Sequence, residues 1–247
     1  MSKIEFDINS LCENENLEIP ISEILKGLNK ENKNIENETP NNIKCSEIEV
    51  KGTSSSIYFN QGETNLFISI YGPKETKFKD KIKNEESNIE IYIKFDRETN
   101  KNYTMEINNK IKKFVENIIL TKSYPKCQIN ITINILSSNN NNFILLSVIY
   151  NGIMMALCLS GIDLQSMCLS KSFYNLNNDS SILICIDANE KNNILFIEND
   201  KSYSLDEYDK LVNETNKGIE IIYFKMKNFL LCIKIIKDIK NQKFYLK

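Results

Sequence analysis

The pattern of apolar and polar residues is clearest over residues 52–75, where it predicts two strands and a tight turn. Ile57 and Phe59 alternate with more polar neighbours, which is the period of a half-buried strand. A glycine in the turn is free to take positive φ. The second strand is more apolar, and we predict that Gly72-Pro73 ends it, because proline cannot donate a hydrogen bond to a strand ladder.

Periodicity also predicts the other elements of the chain. Two-residue alternation and short apolar runs predict strands over 43–50, 89–94, 129–136, 166–176, 181–187 and 192–198. Three-four spacing predicts helices over 104–120, over 143–160 and from 204 almost to the end of the chain. This order of strands and helices predicts an α+β fold in which helices pack on sheets.

Two of the predicted helices carry further signals. The helix over 143–160 is apolar nearly all round, which predicts that it is buried, and Gly161 suits the left-handed position after a helix end. Ser204 and Glu207 have the spacing of a capping box at the start of the last helix. Gly218 weakens the middle of that helix by roughly 1 kcal/mol against alanine, so we expect one long helix or two in line.

The first 42 residues differ from the rest of the chain. Apolar residues are scattered over 4–28, and the tract 29–42 is polar and charged, with little to bury. We therefore predict two parts. An asparagine-rich, partly disordered extension covers residues 1–42, and one folded domain covers residues 43–247.

Composition and charge exclude several functions. The chain has no histidine, which excludes Ser-His and Cys-His nucleophile pairs and zinc sites with histidine ligands. Its net charge is −2, so binding of nucleic acid depends on local lysines rather than on a global positive field. Seven cysteines without a C-x-x-C pair favour reduced, buried thiols in the cytosol or nucleus. We expect no cofactor and no metal, and no apolar run of membrane-spanning length.

Three segments together resemble one family. Residues 52–75 contain Gly-x-Ser, then aromatic-x-x-Gly-x-Thr, then an apolar strand ending in Tyr-Gly-Pro-x-Glu. Residues 123–136 place a Tyr-Pro entry before a strand, and the helix around Asn151 carries Asn-Gly-Ile-x-x-Ala-Leu. The combination, over about residues 47–200, resembles the RNase PH fold family, and within it the exosome ring subunits of the ribosomal RNA-processing 46 type. It implies the RNase PH fold (ribosomal protein S5 domain 2-like), with split βαβ units and helices packed on sheets.

The chain departs from active members of that family where their chemistry lies. Active members are phosphorolytic and need arginines, a Gly-Thr-Arg phosphate loop and paired aspartates. The matching positions hold Tyr103, Asn109 and Lys113 for the arginines, residues 139–143 for the loop, and Cys185 and Lys191 for the aspartates. Only Lys113 keeps a positive charge. Asp187 and Glu190 lie between the aspartate positions, and we expect Asp187 to be a strand-end turn carboxylate rather than a base.

The resemblance therefore implies a non-catalytic structural subunit of the RNA exosome core ring. Such a subunit supports 3′-to-5′ RNA processing and degradation, including rRNA maturation, in the nucleus, nucleolus and cytoplasm. The implied partners are other RNase PH-like ring subunits (a 43-type neighbour), S1/KH cap subunits of the 40 type and RNA in the pore, with no membrane.

Several lysines are candidate RNA contacts, with an ordinary solvated surface as the alternative: Lys74, Lys77, Lys79, Lys112 and Lys113. Three alternative identities for the chain stay open at this point. The alternatives are an active phosphate-dependent 3′-to-5′ exoribonuclease, another RNase PH-type ring subunit of the exosome, and an unrelated α+β protein.

Overall fold

The described residues form eight strands and three α-helices. The computed structural model describes residues 43–76, 85–96, 99–138, 141–175, 180–190 and 193–245. The elements are β1 (Ile43–Glu47), β2 (Ser55–Gln61), β3 (Thr64–Glu75), β4 (Asn88–Phe95), α1 (Lys101–Ile118), β5 (Cys127–Ser137), α2 (Asn142–Ser160), β6 (Cys168–Asn175), β7 (Ser180–Asp187), β8 (Ile194–Asn199) and α3 (Leu205–Tyr245). The α+β class is confirmed. The predicted extension over 1–42 lies outside the described residues, so the domain boundary stays a prediction.

The strands form two separate sheets. The larger sheet has the order β1-β2-β3-β5-β4, and the smaller sheet has the order β6-β7-β8. Paired strands are antiparallel except for β4 and β5, which are parallel and are connected through α1. This β4-α1-β5 crossover is the parallel unit that a split βαβ organisation requires.

The predicted hairpin is confirmed and lies inside the larger sheet. Ile57 pairs with Ile68, and Phe59 pairs with Leu66. All four side chains are fully buried. Gly62 takes a φ of 63° in the turn, which is the conformation that favours glycine. The alternation of apolar and polar residues therefore gave the correct buried face of both strands.

The prediction that Gly72-Pro73 ends the second strand is wrong. β3 continues to Glu75, and its pairing with β5 shifts register just after Tyr71. Because the regular pairing is interrupted at this point, Pro73 does not have to donate a hydrogen bond to the ladder, which its nitrogen cannot do. Gly72 has a φ of 107°, and a side chain there would collide with the backbone of Gln128. The close approach of β5 at this point therefore requires glycine.

Helix α2 lies between the two sheets. It packs on β2 and β3 on one side and on β6 and β7 on the other. Every residue from Leu145 to Leu157 is buried, which confirms the predicted burial, and Gly161 ends the helix with a φ of 71°. By length and composition α2 would suffice to cross a membrane, so the expectation that no apolar run reaches that length is wrong. Packing against two sheets accounts for its apolarity.

One buried amide in α2 connects the two sheets. Asn151 is fully buried. Its Nδ2 donates to Gln61 Oε1 of β2 (3.1 Å) and to the carbonyl of Ser170 in β6 (2.9 Å). Its Oδ1 accepts a hydrogen bond from the Ser170 amide (2.9 Å). Because each of these polar groups is buried, each would carry a desolvation cost without its partner.

The other two helices cover the remaining faces. α1 packs on β4 and against α2, and it begins at Lys101, three residues earlier than predicted. α3 is a single helix of 41 residues that packs on β6 and β7. Its capping box is present, since Ser204 N and Oγ both donate to Glu207 Oε2 (3.0 and 2.8 Å). Gly218 lets Lys171 pack closely, because a Cβ there would lie 2.6 Å from Lys171 Cδ.

We expect Asn151→Leu to lower the free energy of unfolding by about 2–4 kcal/mol, because it leaves groups of Gln61 and Ser170 buried without partners. Asn117→Ala, at an exposed position of α1, is the control and should change stability by less than about 0.5 kcal/mol. Urea unfolding followed by circular dichroism measures both. A loss for Asn151→Leu no larger than that of the control would contradict the bridging role.

Candidate functional site

The first turns of α1 and α2 meet at one end of the core. Tyr103 of α1, which the resemblance matches to an arginine of active members, donates its hydroxyl to Asn142 Oδ1 at the start of α2 (2.8 Å). Its ring lies against Phe95, with 5.8 Å between the ring centroids. Partial burial raises the pKa of Tyr103, and the Glu106 carboxylate raises it further, against a smaller lowering effect of Lys110. The side chain is therefore a neutral donor at pH 7.

The amides at the start of α2 already have partners. Asn141 precedes the helix, and its Oδ1 accepts hydrogen bonds from Phe143 N (2.9 Å) and Ile144 N (3.2 Å). Its Nδ2 donates to Ser181 Oγ of β7 (3.2 Å). Backbone amides at the start of a helix commonly bind phosphate. Here two of these amides already donate hydrogen bonds to the Asn141 side chain. Residues 139 and 140 of the predicted loop lie outside the described residues.

Lys110 is a residue of this site that the sequence analysis missed. Its Nζ is 3.2 Å from Glu106 Oε1 and 3.2 Å from Glu198 Oε2 of β8, and 6.0 Å from the ring centroid of Phe143. Partial burial lowers the pKa of Lys110, but Glu198 and Glu106 together raise it by more. The ammonium thus stays charged beside two carboxylates. The sequence did carry a signal for Lys110. It lies seven residues after Tyr103, which is about two turns of α1 and places both residues on the same face of the helix.

Cys185, which the resemblance matches to one of the two aspartates of active members, is fully buried. Its thiol lies beside Cys168 on the neighbouring strand, and burial raises the pKa of the Cys185 thiol. Burial also raises the pKa of Tyr150 on α2, with a further contribution from the neighbouring Cys185. Position 185 therefore faces the core between β7 and α2. Lys191, at the other aspartate position, lies outside the described residues.

The two carboxylates between those positions belong to the turn after β7. Asp187 is 8% exposed, and its Oδ1 accepts a hydrogen bond from Asn189 N (2.9 Å). Glu190 is exposed and accepts from Asn193 Nδ2 (3.1 Å). Such side-chain contacts to residues two or three positions away stabilise turns. The geometry of Asp187 agrees with the expected strand-end role.

The three described candidates for RNA contact lie on two elements, β3 and α1. Lys74 lies near the end of β3, where its Nζ donates to a backbone carbonyl 3.1 Å away. On α1, Lys112 is half-buried and Lys113 is exposed. Lys77 and Lys79 lie outside the described residues. Contact of any of the five with RNA therefore stays a prediction.

The cysteines of the described residues are free. Burial raises the pKa of the Cys45 thiol to about 12 and also raises the pKa of Cys158, so both thiols are protonated at neutral pH and react slowly. Within the part of the chain that the structure describes, no group of three or more Cys, Asp or Glu side chains is placed to hold a metal ion.

Comparison with known proteins identifies the family. Residues 40–163, half of the chain, match the RNase_PH model, described as the 3′ exoribonuclease family, domain 1. The chain therefore belongs to the 3′ exoribonuclease family. A putative exosome complex component RRP41 of Caenorhabditis elegans is 26% identical over 125 residues, which is 47% of this chain and 51% of that protein. The chain thus matches about half the length of this curated relative.

Two solved structures share the fold. Rice (Oryza sativa) Rrp46 superposes with a TM-score of 0.67 at 18% identity, over 79% of this chain and 98% of the rice chain. A chain of the Archaeoglobus fulgidus exosome, solved with RNA bound to the active site, superposes with a TM-score of 0.56 at 12% identity, over 82% and 96% of the two chains. The predicted RNase PH fold is confirmed.

We expect Cys185→Asp to place an unpaired carboxyl group in the core. Burial raises such a pKa by about 3 units, which at about 1.36 kcal/mol per unit is roughly 4 kcal/mol of stability lost at neutral pH. Because the folded-state pKa is the higher one, the loss is small below about pH 4 and grows as the pH rises towards that value.

Urea unfolding of this variant near pH 4 and near pH 7 measures the effect. Cys185→Ala is the control, and its loss of stability should be the same at both pH values because alanine does not titrate. A loss for Cys185→Asp that does not grow with pH would contradict the burial of position 185.

Proposed function

We propose that this chain is a non-catalytic structural subunit of the RNA exosome core ring, of the ribosomal RNA-processing 46 type. It helps to build a ring through which RNA is threaded to a separate nuclease. In this way it supports 3′-to-5′ RNA processing and degradation, including rRNA maturation. Membership of the 3′ exoribonuclease family, the fold shared with rice Rrp46 and the similarity to an exosome component support an RNase PH-type exosome subunit.

The pairing of Tyr103, Lys110 and Asn141 within the site supports the non-catalytic part of the proposal. Phosphorolysis needs positive charge and amide donors that are available to the attacking phosphate. Here Tyr103 is neutral, Lys110 is balanced by two carboxylates, and Asn141 occupies the first amides of α2. Since one lost transition-state contact costs about 10²–10³ in rate, the absence of the Gly-Thr-Arg loop and the paired aspartates points the same way.

Two other functions have specific observations in their favour. An active phosphate-dependent exoribonuclease would draw on Asp187, at the end of β7, and on Glu190, in the turn that follows. Another RNase PH-type ring subunit would agree with the similarity to the nematode RRP41 component. The 46 type remains our proposal, because the rice Rrp46 chain is matched over 98% of its length.

The proposed partners are unlike subunits of the same ring. We place a 43-type RNase PH-like subunit beside this chain and a 40-type S1/KH cap subunit above it, with RNA in the pore. The edge strands β1 and β4 of the larger sheet and the solvent faces of the helices offer surfaces for such contacts. The proposed location is the nucleus and nucleolus, with a further population in the cytoplasm.

We expect the purified chain to show no phosphate-dependent shortening of a 5′-labelled single-stranded RNA, because its site lacks available phosphate ligands. Denaturing gels of reactions with and without inorganic phosphate measure this, with an active member of the same family as the positive control. Asp187→Asn should behave as the unmodified chain. Shortening that depends on phosphate and that Asp187→Asn abolishes would establish the active enzyme instead.

The structural role is tested by gentle purification of the tagged chain from its own cells. We expect mass spectrometry to find the unlike ring, cap and nuclease subunits in near-equal amounts. A chain that is recovered alone, or only with further copies of itself, would refute the ring assignment. Recovery in the place of a different ring subunit would refute the 46 type but not the ring.

A further inference from the structure

Helix α3 has a second apolar stripe on the side away from the smaller sheet. The side that faces the sheet buries Ile219, Ile222 and Met226. On the opposite side a second set of residues follows a three-four spacing and forms what we term the outer stripe: Ile221, Phe224, Asn228, Leu231 and Ile235. A three-four spacing that repeats every seven residues is typical of a helix face that packs against another segment.

The burial of the outer stripe also indicates an occupant. Leu231 and Ile235 are 39% and 36% exposed, whereas Ile221, Phe224 and Asn228 are half-buried. Asn228 Oδ1 is buried and accepts no hydrogen bond from the described residues. The part of the stripe left for an occupant to cover is therefore its exposed apolar end, at Leu231 and Ile235.

The charge around the outer stripe indicates the chemistry of that occupant. Residues 217–238 contain five lysines against one glutamate and one aspartate, and one of these lysines, Lys237, already bonds to Glu47 of β1. Residues 1–28 of the same chain have the complementary composition, with six acidic side chains, two lysines and ten Ile, Leu or Phe residues. Opposite charge and a shared content of large apolar residues are what two docking surfaces require.

The connection between the two segments is long enough. Residues 29–42 lead from residue 28 to the start of β1, and 14 extended residues span up to about 46–50 Å. The outer stripe is only about 21 Å long at 1.5 Å per residue. β1 itself contacts α3, where Lys237 Nζ donates to Glu47 Oε1 (2.8 Å). Residues 1–28 are therefore tethered beside the helix that carries the stripe.

We propose that residues 1–28 dock on the outer stripe of α3 in the same molecule and cover it. Apolar side chains of the segment contact Phe224, Leu231 and Ile235. Its acidic side chains face the lysines of α3. A short tether gives an effective concentration in the millimolar range, which favours this occupant over a second copy of the chain. The inference does not depend on the ring assignment.

Hydrogen exchange of the full chain, measured by mass spectrometry, tests the docking. We expect amides within 1–28 to exchange at least about tenfold more slowly than in an unstructured chain. Leu231→Asp with Ile235→Asp should restore fast exchange, because both changes put charge into the apolar contact. Leu195→Asp is the control, since Leu195 is 41% exposed on β8, and it should leave the protection unchanged. Carboxyl-to-lysine cross-links should join 1–28 to 217–237 within one molecule.

A second variant keeps the test decisive if the substitutions in α3 disturb the helix. Glu13→Lys with Glu15→Lys and Glu18→Lys leaves α3 intact and should also abolish the protection, by charge repulsion. Fast exchange of residues 1–28 in the unmodified chain would overturn the proposal. Cross-links between two copies would overturn it as well, because the outer stripe would then be a dimer interface. Protection of residues 1–28 that survives both in the α3 variant and in the triple lysine variant would also overturn the proposal.

Discussion

Burial of α2 between two sheets is the constraint on which the rest of the structure depends. A helix with a sheet on each side has no face for solvent, so nearly every side chain in its middle must be apolar. Its polar groups must find partners inside the core: Ser55 Oγ donates to the Ala156 carbonyl (2.8 Å), and Asn151 bonds to both sheets. α1 then covers the larger sheet beside β4, and α3 covers the outer side of the smaller sheet.

The same packing decides what the beginning of α2 can do chemically. It brings the first turn of α2 close to α1, β7 and β8, so that polar groups from four elements meet. In this chain those groups bond to one another: Tyr103 to Asn142, Asn141 to the helix amides, and Lys110 to its carboxylates. Such internal pairing stabilises the junction, and it is the observation on which the proposed non-catalytic role rests.

In the proposed structural role the chain acts through its surfaces, and two features of the fold determine them. The larger sheet ends in the edge strands β1 and β4, and edge strands are the places where another chain can add to a sheet. α3 carries apolar residues on two sides, and only one of these sides faces a sheet. The outer stripe lies on the side that faces no sheet, and it is the surface on which we propose that residues 1–28 dock.

The sequence by itself determined which elements form, to within about three residues, and which face of the hairpin and of α2 is buried, because both depend on local periodicity. It also indicated the family through short motifs in the hairpin and in α2. Only the tertiary structure decided that β3 runs past Pro73, that Cys185 faces the core, and that Lys110 lies between two carboxylates. The physical reason is that these outcomes depend on β5, on Tyr150 and on Glu198, neighbours remote in sequence whose distances no local pattern encodes.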